Sequence, residues 1–199
     1  MIDKLQFDYR RNDTERVRAV TTIAAPGTHC LSGHPDKLKF EERMFSMDHG
    51  IEAAELFLSG YNCAQAVAVA FCDVTGMDEK TAARTVSAFG GGMGRLREVC
   101  GAVSGMFFVL SVLYGYDTPG DDVRKKELYT QVQALAAGFR ESCGSIVCRE
   151  ILKNPPTDPT PSPRTAEYYK SRPCARMVKT AADLMDEFIK NHPLEEPHG

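Results

Sequence analysis

Residues 99–116 read VCGAVSGMFFVLSVLYGY, eighteen positions without a charged side chain and with three glycines. Such a run is either a membrane span or a helix at the centre of a core. A span needs roughly 20 predominantly apolar residues, with anchoring residues at both interfaces. This run sits at the lower limit of length and carries Cys100, Ser104 and Ser111. It also lacks an aromatic-and-basic flank on both sides. It reads as a buried central helix, with no membrane span, around which the remaining elements must pack.

Reading outward toward the N-terminus, Gly90-Gly91-Gly92-Met93-Gly94 breaks a helix that Asp78 begins and that carries Ala82, Ala83, Val86 and Phe89. Before it, Asn62 is a good cap for a helix over 63–74, closed by Gly76. Asp48 caps a first helix over 48–60, with Ile51, Ala54, Leu56, Phe57 and Leu58 apolar and Gly60 at its end. On the C-terminal side, Thr118-Pro119-Gly120 is a turn, and Asp121-Asp122 give a negative first turn to a long helix reaching about Ser142. Gly144-Ser145 breaks the chain, and Ser145 can cap a short helix containing Cys148. Residues 154–164 hold five prolines in eleven positions and cannot be regular. A last helix starts near Pro173 and ends near Asn191. No segment alternates with period two for long. The expected fold is all-α: a compact bundle of about six helices over 46–192. Residues 1–45, of mixed charge and without sustained periodicity, are expected to be a poorly ordered N-terminal extension, and 193–199 a flexible tail.

At 199 residues the chain suits one domain with a proper core. A net charge of −3 and the absence of a basic block offer nothing for nucleic acid. Seven cysteines is a high count. The first eighteen residues are dense in charge and contain no apolar signal region, so the expected location is the cytoplasm. There cysteines serve metals or redox chemistry more often than structural disulfides.

Four of the seven, Cys63, Cys100, Cys148 and Cys174, fall where helices are expected to begin. A helix start presents unpaired N–H groups and the positive end of the backbone dipole. A thiolate there is stabilised, so a lowered pKa is expected, and Arg97, Arg149, Arg172 and Arg176 lie near enough in sequence to add to the effect. No C-x₂-C pair exists, which removes zinc-ribbon and thioredoxin motifs, and no C-x-x-C-H permits covalent haem attachment. The bland alternative is that these small apolar side chains only fill core positions. Cys72 reads as core packing, Cys143 as a fifth thiol close to the site, and Cys30 as incidental. Gly101 and Gly105 share a helical face and allow another backbone to approach. The glycine run at 90–94 matches no phosphate loop; it reads as a sharp turn whose N–H groups could face sulfurs. His49, alone at a helix start, reads as solvated.

Cys100-Gly101-Ala102-Val103-Ser104-Gly105 resembles the CGAxxG signature of the C_GCAxxG_C_C family of redox-active proteins, a module of roughly 140 residues with four defining cysteines. Gly60-Tyr61-Asn62-Cys63-Ala64-Gln65-Ala66 is similar to its first cysteine box. Gly144-Ser145-Ile146-Val147-Cys148 and Arg172-Pro173-Cys174 are similar to its third and fourth. The family is similar in turn to the iron–sulfur portion of split-Soret cytochromes. The resemblance implies four convergent cysteines, supported by Asn62, Gly101, Gly105 and Ser145, that ligate an iron–sulfur cluster, [2Fe–2S] in the first instance, for electron transfer or redox sensing. The alternatives are a metal-free dithiol–disulfide protein using the same cysteines, a structural Cys₄ zinc domain, or a plain helical interaction domain. The expected partner is a redox protein that the sequence does not identify, with a second copy of the chain as another candidate.

Overall fold

A computed structural model of the protein describes residues 48–194. The expected N-terminal extension and Cys30 lie outside the described residues, as does the tail beyond Leu194. Leu194 itself packs against the core.

The architecture is all-α, and no strand forms among the described residues. His49–Ser59 (α1) is capped by Asp48, whose carboxylate accepts from the Ile51 N–H at 2.9 Å. Cys63–Ala70 (α2) opens with a full capping box: Asn62 accepts from the Ala64 and Gln65 N–H groups, and the Gln65 side chain accepts from the Asn62 N–H. The expected helix over 63–74 is interrupted at Phe71, and Cys72–Thr75 (α3) follows as a separate turn. Glu79–Thr85 (α4) is capped by Asp78 and passes through a 3₁₀ turn, Ser87–Phe89, into Gly90–Met93 (α5). Gly101–Tyr114 (α6) and Asp122–Cys143 (α7) are the central and longest helices. Cys148–Ile151 (α8), Ala166–Ser171 (α9) and Cys174–Asn191 (α10) complete the chain. Among the described residues ten α-helical segments and one 3₁₀ turn stand where about six helices are expected, because kinks and single turns divide what periodicity joins.

The run at 99–116 is the buried central helix that its composition predicts. Gly101 to Met106, with Val109 and Leu110, are buried in α6. No helix among the described residues is long and apolar enough to cross a membrane. α10 is strongly one-sided and buries Met177, Val178, Ala181, Leu184, Met185 and Phe188 against α1, α6, α2 and α7. α2 crosses α6 at Gly105, where a Cβ would stand 2.7 Å from the Ala64 carbonyl oxygen and 2.9 Å from Val67 Cβ. The small residue there sets how close the two helices come.

His49 is not solvated. It is 1 % exposed, stacked on Phe71 at 4.3 Å and held between two carboxylates. Nδ1 meets Asp186 of α10 at 2.5 Å, and Nε2 meets Asp73 of α3 at 3.2 Å. Burial alone would lower its pKa, but the hydrogen bonds to Asp186 and Asp73 and their charges outweigh that and raise it to about 10. One cation therefore ties α1 to α3 and α10.

Candidate functional site

The four helix-start cysteines line one pocket of about 220 Å³, several times the ~30 Å³ share of a water molecule. Cys63, Cys148 and Cys174 are the first residues of α2, α8 and α10, and Cys100 is the N-cap of α6. Two arrangements bring them together. Cys63 and Cys174, remote in sequence, stand near enough to each other for each to act on the other's titration. Cys100 and Cys148 are joined through the backbone by an isolated antiparallel bridge between Val99 and Val147. Across it the Cys100 N–H donates to the Ile146 carbonyl at 2.8 Å and the Cys148 N–H to the Glu98 carbonyl at 2.7 Å. Periodicity gave no sign of this bridge, since one pair of residues has no period.

The thiols do not behave as four stabilised thiolates. Burial pushes Cys100 up to about 12, against the Ala102 and Val103 N–H groups at the start of α6. Burial also raises Cys148, and the Arg97 guanidinium beside it opposes that rise. Cys63 rises because Cys174 stands beside it and because it is buried. Cys174 alone is lowered, first by Cys63 and then, against burial, by Arg172, Arg164 and Arg97. The expectation of lowered pKa at every helix start thus holds at one position of four. Desolvation of a thiolate outweighs the partial charge of a helix end unless a donor or guanidinium is added.

The arginines differ from those expected. Arg97 and Arg172 line the pocket, joined by Arg95 and Arg164. Arg149 instead pairs with Glu98 at 2.6 Å on an exposed face, and Arg176 acts on Cys143. Arg164 comes from the proline-rich stretch, whose irregular backbone carries it over α1 to donate to the Phe57 and Tyr61 carbonyls at 3.2 and 3.1 Å. Its proline neighbours signalled irregularity but not a destination.

Of the supporting residues, Asn62 and Gly101 line the pocket, while Gly105 serves the α2–α6 crossing and Ser145 lies outside. Ser145 accepts from the Val147 N–H at 2.9 Å and donates to Glu150, so it shapes the turn before Cys148 without capping α8 directly. Cys143 is not among the lining residues, and Cys72 is buried in the core with Val69 and Ala82. The glycine run does border the site, but the group that meets the Cys148 sulfur, at 3.6 Å, is the Gly91 carbonyl and not an N–H. At Gly92, with φ +73°, a Cβ would stand 2.6 Å from Cys148 Cβ. Gly92→Ala is therefore expected to cost about 2–3 kcal/mol, from left-handed strain plus the clash. Gly120→Ala, at φ +86° with open space around it, should cost only about 1 kcal/mol. Urea denaturation of the two variants checks this; equal losses would show that Cys148 does not resist.

Among the described residues no group of three or more His, Cys, Asp or Glu side chains is placed to hold a metal ion.

Fold and pocket together define an all-α protein whose helix starts present four thiols to one arginine-walled cavity. The chain belongs to the C_GCAxxG_C_C family, described as "Putative redox-active protein (C_GCAxxG_C_C)", which it matches over residues 61–188. No curated protein and no solved structure matches it.

Proposed function

We propose that Cys63, Cys100, Cys148 and Cys174 hold an iron–sulfur cluster, [2Fe–2S] in the first instance, and that the protein acts in one-electron transfer or redox sensing. The observation that carries this reading is a pocket lined by four thiols, with no imidazole or carboxylate among its lining residues. An all-thiolate donor set suits iron–sulfur clusters and zinc. A single zinc ion would need all four sulfurs at about 2.3 Å from one point. The pocket, at about 220 Å³, has room for a group several atoms across. When bound, such a cluster would accept and release one electron. The residues' own contribution is to supply the thiolates, to offset their charge with guanidinium groups and to surround the site with buried helix ends.

Protein purified without oxygen from iron-replete cells is expected to be coloured and to contain iron and acid-labile sulfide, both lost in Cys100→Ser. A colourless, iron-free product would overturn the reading. The placing of Cys63 and Cys174 on one pocket, with Cys174 lowered beside Cys63, favours a second one: a metal-free dithiol, with Cys174 the attacking thiolate and Cys63 its partner. It predicts loss of free thiols on oxidation in protein that contains no metal.

A further inference from the structure

The cysteine pocket carries more positive charge than its thiols account for. Four guanidinium groups line it and no carboxylate does. Two of the four are occupied. Arg164 binds backbone carbonyls and lies over the Phe57 ring at 4.9 Å. Arg95 donates to the Asp158 carbonyl and the Ser162 hydroxyl, with the Asp158 carboxylate also within its influence.

The other two have donors to spare. Arg97 is 2 % exposed; its Nε donates to the Pro156 carbonyl at 2.9 Å and Nη1 to the Gly91 carbonyl at 3.3 Å. Its Nη2 is buried with no hydrogen-bond partner of its own. Arg172 lies over the Tyr168 ring at 4.7 Å and has no hydrogen bond or ion pair among the described residues. Both bear on Cys148 and Cys174, so they face one part of the cavity. A buried cation with an unmet donor is costly unless something negative completes it. Two ferric ions, two sulfides and four thiolates carry less negative charge than four guanidinium groups carry positive. A resident cluster would therefore leave a surplus.

We propose that Arg97 and Arg172 form a binding site for a small anion, a carboxylate or oxyanion, on the Cys148 and Cys174 side of the pocket. A guanidinium fork recognises such groups in two-point fashion, which a lysine cannot reproduce. As the place where a substrate meets the redox centre, the site rests on the function proposed above. As an anion site it stands without it.

The test is calorimetric titration of the full chain as isolated with sodium sulfate and with sodium acetate, against sodium chloride at matched ionic strength. Saturable binding of sulfate or acetate is expected, weakened about tenfold in Arg172→Gln, whose half-buried side chain can be replaced without opening the core. Arg97→Lys, checked for folding by circular dichroism, keeps the charge and should still lose most of the affinity. Binding no stronger than chloride, or an Arg172→Gln variant that binds as well as the parent, overturns the proposal. Iron and sulfide measured on the same samples separate the two readings. An iron-loaded chain indifferent to sulfate and acetate sinks the anion site alone. An iron-free chain that binds them sinks the cluster alone.

Discussion

His49→Ala is expected to cost the fold about 3 kcal/mol near pH 6 and to flatten its stability profile on the alkaline side. The imidazolium sits between Asp73 and Asp186, whose side chains are 14 % and 32 % exposed. Removal leaves two carboxylates facing a void against Phe71. Their partial exposure keeps the loss below the full value implied by the pKa shift. The sign follows from linkage. A pKa raised from 6.5 to about 10 in the folded state contributes stability that is complete below 6.5 and is lost as pH rises through 10. Glu52, raised by burial to about 7, acts in the same direction between 4.5 and 7. The parent protein should therefore lose stability steadily from about pH 5 to pH 10. The variant should keep only the lower part of that fall. Urea titrations at pH 6 and pH 9.5 decide it: an equal pH dependence in parent and variant would mean that His49 carries no buried charge.

Gly105→Ala is expected to destabilise by about 2–3 kcal/mol. In an open helix the same change gains roughly 1 kcal/mol, so the sign itself is the test. The new Cβ would meet the Ala64 carbonyl oxygen at 2.7 Å and Val67 Cβ at 2.9 Å, and α2 is held on its other side by Asn62 and Gln65, which donate to the Ser87 and Ala83 carbonyls, each at 3.1 Å. Gly105→Val should cost more still. A neutral or stabilising alanine in thermal or urea unfolding would show that the crossing yields, and with it the spacing of Cys63 from Gly101.

Helix starts were legible because each is decided within three or four residues. Asp48 and Asn62 cap as read, and Asp78 and Asp121, read as the acidic starts of their helices, prove to be caps too, through side chains that reach their own next turn. The central helix was legible from an uncharged run too short for a bilayer. The CGAxxG signature and the placement of four cysteines at helix starts predicted the thiol-lined pocket, since a helix start fixes where its first side chain points. His49 was misread, because a histidine at a helix start has no local feature that reveals a carboxylate 137 positions away.

What the sequence determined by itself, then, is the main helices, their capped starts and the four cysteines that those starts present. The tertiary structure alone decided that the four thiols share one pocket, that Cys174 is lowered while the other three are raised, and which arginines surround them. The reason is range. A cap is satisfied by atoms a few bonds along the chain. Desolvation and counter-charge depend on whatever packs across the site, and here that includes an arginine reaching 107 residues back to Phe57.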